Sequence, residues 1–430
     1  MNDTPKRTIT SRPPPPAGPG VVVVFSAGRA MSIPFCLDAR SLVLGRQCPE
    51  DLFIDDLLVS RRHVEIARDA TGWLVRDLGS LNGTRVDGRP ASGIVSCERP
   101  PVVRFGRTVA LGVADVSPFF AGLPMRSGQL VLGPKWRASL AEVEAVAGAG
   151  SDLLLIGEKG SGKETAAAHF HARGPRATGP LVRVHCAAIS HGLAERLFFG
   201  TVKGSSPDAP VESKGYVHAA EGGVLLLDEV GELEPELQAK LLGLLETRQT
   251  PASGASLPRP VDLTLCFATD GDLASLVASG RFRDDLWRRM NRSAVTLPPL
   301  RQRPEEIPWL AELALEGHAP ELALEADLVE ACVLREWRGN VRELVSEIRR
   351  IARVARSESR STIRSDLLAP DPDAGRESRP RVTAEQVERA LREAPSVSGA
   401  AQMLHIHRSH LYRLIRQFGI DLHAVSSSPP

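Results

Sequence analysis

At 430 residues with 42% hydrophobic side chains, the chain has the length and apolar content for about three domains with real cores, which excludes a wholly disordered protein. Its 53 Lys and Arg nearly cancel 52 Asp and Glu, so no global basic excess advertises nucleic acid, and any DNA affinity must come from local placement. Six scattered cysteines without paired spacing read as reduced core residues, and no long apolar segment opens the chain, so a cytoplasmic protein is expected.

Residues 1–20 include four consecutive prolines and cannot bury apolar surface, so a disordered or extended tail is expected there. The tail carries Thr4, Thr8 and Thr10 beside Lys6 and Arg7. From 21 to 118, the apolar runs 21–25, 42–44 and 64–66 alternate with Gly, Pro and Asp breaks, the pattern of an all-β sandwich. Its motifs LGR (44–46), VSRRH (59–63) and DLGSLNGT (77–84) resemble those of a forkhead-associated (FHA) domain, a reader of phosphothreonine peptides. The chemistry suits that role. Arg46 and Arg61 offer forked donors and Ser60 a hydroxyl to a dianionic phosphate, Asn82 would hold the peptide backbone, and His63 would brace the loop. Leu81 stands where the family often has Thr, which removes one polar contact. The alternative is a sandwich used only as a dimer or docking surface. A linker is expected over 119–135.

The run LLLI (153–156) opens into GEKGSGK (157–163), and a helix-compatible stretch follows over 165–171. In that context Gly157, Gly160 and Gly162 would let backbone amides approach phosphates closely, and Lys163 would neutralise the β and γ phosphates of a nucleotide such as ATP. Without a ligand, the same pattern is a glycine-rich turn between strand and helix. Further on, GGVLLLDE (222–229) brings Asp228 and Glu229 out at the end of a buried strand, which is expensive unless a cation or water needs them. Asp228 is then the Mg²⁺ holder and Glu229 the base that orients the attacking water. Glu164 occupies the place where a Ser or Thr hydroxyl often meets the metal.

With VHCAAI (184–189), FATDGDL, GRFRDDLWRRMN, LPPLRQR and WRGNVREL in the same order, residues 153–291 resemble the AAA+ domain of sigma-54-dependent transcriptional activators, and the resemblance continues through an α-helical lid. It implies an α/β P-loop NTPase over 136–300 and a lid over 301–369. It also implies a sensor at Thr269 and Asp270, arginine fingers Arg283 and Arg289 acting on a neighbouring subunit, and a second sensor at Arg342. Trans-acting arginines imply a homo-oligomer, from dimer to hexameric ring. Several positions depart from the family. The loop GAFTGA, which touches the sigma factor in relatives, is here GSSPDA (204–209), a solvated tip that argues against sigma-54 contact. His185 replaces an Asn that pairs with the Walker B glutamate, and Asp270 replaces the sensor Asn. A carboxylate near the γ-phosphate repels it unless protonated or metal-bound, so binding is the safer expectation than fast hydrolysis.

A second linker is expected over 370–380, then a helical module over 381–423 and a short tail over 424–430. Val387 and Leu391 share a helical face, Ala400, Ala401 and Leu404 follow, and Leu411, Leu414, Ile415 and Phe418 repeat at helical spacing, so three short helices are implied. The module resembles the Fis-type helix-turn-helix that ends most sigma-54 activators. Arg408, Ser409, His410, Tyr412, Arg413, Arg416 and Gln417 lie off the apolar stripe and are the candidate DNA contacts. A three-helix docking domain would show the same stripe.

Together these features read as a phospho-responsive regulator that binds ATP, assembles, and docks on an operator or enhancer, with RNA polymerase and a phosphothreonine protein, or its own tail, as partners. Two alternatives keep the same parts. One is an ATP-gated DNA-binding switch that does not remodel sigma-54 polymerase. The other is a phosphopeptide-dependent scaffold whose nucleotide site is structural.

Overall fold

A computed structural model of the chain describes residues 17–37, 41–47, 54–70, 72–121, 125–189, 192–200, 214–250, 258–370, 384–394, 397–404, 411 and 415. They fall into two compact units, 1–368 and 369–430.

β1 (Gly20–Ser26) reads GVVVVFS and is buried on both faces along its whole length. Side chains alternate along a strand, so Val21 and Val23 face one way, and Val22 and Val24 the other. Val21 and Val23 enter a core with Phe35, Ile66, Trp73 and Phe105. β2 (Arg29–Cys36), β3 (Ser41–Leu44), β4 (Val64–Arg68), β5 (Trp73–Asp77), β6 (Thr84–Val86), β7 (Arg89–Pro90), β8 (Ile94–Cys97), β9 (Val102–Phe105) and β10 (Thr108–Val113) complete two antiparallel sheets around that core. The strand orders are β2-β1-β10-β9-β6-β7 and β3-β4-β5-β8. A hairpin, β11 (Arg126–Ser127) and β12 (Leu130–Val131), leads on to the α/β part.

That part runs α1 (Pro134–Gly148), β13 (Leu153–Ile156), α2 (Lys163–Arg173), β14 (Leu181–His185), α3 (Ala194–Phe199), α4 (Tyr216–Ala219), β15 (Val224–Asp228), α5 (Pro235–Thr247), the short pair β16 (Gln249–Thr250) and β17 (Arg259–Pro260), β18 (Thr264–Thr269), α6 (Leu273–Ala278), α7 (Asp284–Met290) and β19 (Ala294–Thr296). Five strands pair in parallel in the order β14-β15-β18-β13-β19. The inner strands β15, β18 and β13 are buried on both faces because helices cover both. Leu153, Leu155, Val224, Leu226 and Cys266 pack under α1 and α2, whereas Leu154, Leu225, Leu227, Leu265 and Phe267 pack under α5 and α7. All five strands run the same way, so the loops after β13, β14, β15 and β18 gather at one edge of the sheet. Register sets His185 opposite Asp228 there, and Ile156 opposite Thr269.

The lid comprises α8 (Ile307–Glu316), β20 (Ala323–Leu324), α9 (Ala326–Leu334), α10 (Asn340–Ser357) and β21 (Thr362–Ile363). α10 buries Leu344, Ile348, Ile351, Ala352 and Ala355, a stripe at helical spacing.

Val22, Val24, Val109 and Leu111, on the outer face of the larger sandwich sheet, share one core with Leu310, Ala311, Leu315 and Val329 of the lid. Burying a valine this way contributes about 1.5–3 kcal/mol relative to leaving it in water. Polar contacts frame the seam. Glu330, 4% exposed, accepts from Arg104 Nε at 2.7 Å and lies 3.6 Å from Arg85 Nε, while Arg107 stands 3.5 Å from Glu325. The 119–135 segment, expected as a linker, is held at several points. Val131 enters the shared core, Met125 is buried, and Arg126 forks onto Glu316. Its described residues thus contact the lid and join the core that sandwich and lid share.

In the second unit, α11 (Ala384–Glu393) and α12 (Val397–Met403) pack with Val387, Ala390, Ala400, Leu411 and Ile415 in one small core. Of the expected stripe, Val387, Ala400, Leu411 and Ile415 are buried and Leu391 and Leu404 partly so, while Leu414, Phe418 and the body of the expected third helix lie outside the described residues. Among the described residues, no helix is long and apolar enough to cross a membrane. Cys186, Cys266 and Cys332 are buried free thiols, and burial pushes Cys186 and Cys332 up to about 12. Cys186 begins a 3-10 turn just past β14.

Candidate functional site

The loop 157–162 turns from β13 into α2, with Gly160 and Gly162 at φ 72° and 112°. Both glycines are required by close approach as well as by φ. A Cβ on Gly160 would meet the carbonyl oxygen of Gly339 in the lid, and one on Gly162 would strike the Trp136 ring at 2.8 Å. Lys163 begins α2 and folds its ammonium back onto the loop, donating to Gly157 O at 2.8 Å and Glu158 O at 3.2 Å. Burial pulls its pKa below the ordinary lysine value, against the opposing pull of Asp228, Asp270 and Glu229. These three carboxylates and the lysine therefore share one electrostatic site.

β15 delivers Asp228 and Glu229, and Glu229 adopts φ 55°, ψ 49°. A non-glycine residue in the left-handed region costs on the order of 1–3 kcal/mol, and such strain clusters at sites where a side chain must be aimed. His185, at the end of the neighbouring strand, stands with Nδ1 3.7 Å from Asp228 Oδ2 and Nε2 3.4 Å from Glu229 Oε2. Asp270 follows β18, and Lys159 Nζ lies 3.5 Å from Asp270 Oδ2 and 3.7 Å from Glu229 Oε1. Glu164 lies 3.6 Å from Arg342 and 4.0 Å from Arg183.

Arg283 forks onto Asp285, two residues along, through Nε and Nη2, so within one chain it engages no group of the 157–163 loop. Its backbone N–H donates to the buried Gln238 Oε1, which fixes where α7 begins. Arg289 lies half-buried on the same helix.

Several residues not singled out from sequence tie the loop to the lid. Glu158 takes a double hydrogen bond from Arg301, which holds its carboxyl below the usual range, and a third bond from Asn340 Nδ2. Asn340 is fully buried at φ 52°. It also donates to Lys159 O and accepts from Leu300 N at 2.7 Å. Val341 N donates to Gly160 O. Arg303 donates to Ser161 O and Glu306 and stacks on Trp136 at 4.6 Å. The motifs LPPLRQR and WRGNVREL contain four of these residues, Arg301, Arg303, Asn340 and Val341. Only spatial proximity shows what they hold.

On the sandwich, Arg46, Ser60, Arg61 and Asn82 occupy neighbouring loops. Arg46 N donates to Ser60 O, Ser60 Oγ accepts from Leu81 N, and Asn82 Nδ2 donates to Leu58 O. His63 Nδ1 accepts from Ser60 N, so Nε2 carries the proton and donates to Gly83 O, which ties the two loops together. Although burial pushes the Asp77 carboxyl up, bonds from Ser80, Thr84 and Gly79 hold it below its ordinary value, which fixes the second loop. Arg61 and Asn82 are exposed, and Leu57 and Leu81 beside them are 83% and 89% exposed. The 204–209 loop and Arg408, Ser409, His410, Tyr412, Arg413, Arg416 and Gln417 lie outside the described residues.

Comparison with known proteins matches a sigma-54 interaction domain to residues 132–296 and an FHA domain to residues 42–101. Response regulator protein FleR of Pseudomonas aeruginosa is 39% identical over 318 residues, 66% of this chain and 67% of FleR. The chain belongs to the sigma-54-dependent transcriptional activators. The Nif-specific regulatory protein of Herbaspirillum seropedicae is 41% identical over 223 residues, 51% of this activator and 41% of that protein. This activator thus spans less than half the length of the first curated relatives it matches. Among solved structures, NtrX from Brucella abortus in complex with ATP superposes with a TM-score of 0.52 at 29% identity, covering 69% of this chain and 71% of that one. The two expected fold classes, FHA sandwich and P-loop NTPase with a parallel sheet, are those found.

Proposed function

We propose that this activator is an ATP-hydrolysing, DNA-binding transcription regulator under phosphothreonine control. The observation that carries the reading is the convergence of Lys163, Asp228, Glu229 and Asp270 at the carboxyl edge of one parallel sheet, where α/β folds bind ligands. Lys163 lies folded on its own loop and is free to swing its ammonium onto the β and γ phosphates. Glu229 is aimed by its strained backbone and orients water on the γ-phosphate. Asp228, a half-buried carboxylate on the strand end, offers the hard oxygen donor that Mg²⁺ prefers, and the ion, when bound, supplies charge neutralisation for the phosphates. Arg283 and Arg289 face a neighbouring copy, and Arg342 leaves Glu164 for the nucleotide.

Arg46, Ser60, Arg61 and Asn82 take a phosphothreonine peptide from a protein partner or from the tail carrying Thr4, Thr8 and Thr10. The core shared by sandwich and lid gives that event a route to the nucleotide loop, through Asn340 and Glu158. The helical module around Val387 and Leu411 binds DNA.

ATP hydrolysis measured against protein concentration, with and without phosphothreonine peptide, tests chemistry, assembly and signalling together. Wild type turns over cooperatively and Lys163→Ala does not. Equal, absent turnover in both would leave the scaffold reading in place. The GSSPDA sequence favours a second reading, a DNA-binding switch that does not remodel sigma-54 polymerase, and full open-complex formation with purified sigma-54 holoenzyme would remove it.

A further inference from the structure

We propose that Lys159 is a second functional lysine of the nucleotide loop, the counter-cation that lets a carboxylate stand at position 270 beside a triphosphate. The inference rests on the nucleotide-site reading above and concerns how this chain accommodates the γ-phosphate.

The problem it solves is electrostatic. Asp228, Glu229 and Asp270 bring three carboxylates to the sheet edge, beside the loop onto which Lys163 folds its ammonium. A triphosphate adds several more negative charges. With Lys163 alone, Asp270 would oppose the γ-phosphate at short range in a partly desolvated site, where like charges cost far more than in water. Lys159 Nζ stands 3.5 Å from Asp270 Oδ2 and 3.7 Å from Glu229 Oε1, so three carboxylates meet two ammonium groups. His185 lies beside Asp228 and Glu229, leaving Lys159 as the described cation in ion-pair range of Asp270.

The lysine is placed by built structure, although its side chain is 68% exposed. Residues on either side of it are pinned to the lid. Glu158 is held by Arg301 and Asn340, Lys159 O accepts from Asn340 Nδ2 at 3.0 Å, and Gly160 O accepts from Val341 N. The ammonium therefore hangs from a fixed backbone over the sheet edge. An exposed ion pair of this kind adds little to folding stability. Its geometry is consequently explained by the site's charge balance better than by a structural need, and substituting it leaves the fold intact.

Calorimetric titration of the full-length chain with Mg-ADP and with the β,γ-imido analogue of Mg-ATP tests this. Lys159→Ser lowers affinity for the triphosphate analogue on the order of tenfold and leaves ADP binding unchanged, because ADP presents no γ-phosphate to Asp270. Asp270→Asn added to Lys159→Ser restores the analogue's affinity. An equal loss for both nucleotides, or no recovery in the double variant, overturns the proposal. A wild-type chain that binds neither nucleotide instead sinks the nucleotide-site reading on which it stands.

Discussion

Replacing Val22 with Ala tests whether the sandwich and lid form one packed body. Val22 is fully buried on the face of β1 that meets α8 and α9, whereas Val23, its neighbour, is fully buried in the sandwich's own core. Removing two methyl groups forfeits about 1.6 kcal/mol of transfer free energy. The cavity left behind adds about 1 kcal/mol, giving roughly 2–3 kcal/mol in total. A loss of about 2 kcal/mol corresponds to roughly thirtyfold in an opening equilibrium. Global unfolding of a chain with several parts is a poor readout, so amide hydrogen exchange resolved by segment is the assay. Val22→Ala speeds exchange in α8 and α9 about thirtyfold, while Val23→Ala speeds it chiefly in the sandwich strands. On a wetted sheet face the same change would fall within about 0.5 kcal/mol. Lid exchange unaltered by Val22→Ala would therefore refute the shared core and the signalling route built on it.

Three further outcomes follow from named contacts. Asn340→Ala strands Leu300 N and Lys159 O and puts Ala at φ 52°, so thermal unfolding registers a loss of about 2–4 kcal/mol; Asn340→Gly, free of the backbone penalty, loses about 1 kcal/mol less, and equal losses would show that the backbone conformation is not strained. Burial raises Glu305 from 4.5 to about 7, so the folded chain holds that proton more tightly than the unfolded one. The resulting stabilisation is complete below pH 4.5 and lost as pH rises through about 7. Denaturant titrations across that window show stability falling with pH, and Glu305→Gln flattens the slope; an unchanged slope assigns the effect to another group. Finally, Arg283→Ala and Glu229→Gln chains are each inactive alone, but mixing them restores part of the ATPase activity, because one class of subunit interface then carries both intact groups. No recovery on mixing would remove the trans role of Arg283.

Local order in the sequence was enough to reveal the parts of this protein. The runs 153–156 and 224–227 are apolar at every position because parallel strands are covered on both faces, and the turns after them must be glycine or charged because they face a ligand edge. The motifs of the sandwich loops were legible because Arg46, Ser60 and Arg61 stand at the two ends of the single connection between β3 and β4. Tertiary structure decided what the parts do to one another. Val22 and Val24 read as sandwich residues, although a strand with one wet face would have alternated; their second cover comes from α8 and α9, nearly 300 residues away, which no local pattern names. Likewise, Asp270 looked like an uncompensated charge until folding set Lys159, more than 100 positions earlier, 3.5 Å from it. Periodicity records what each segment buries, whereas pairing of distant charges and sharing of cores are set only when the chain closes on itself.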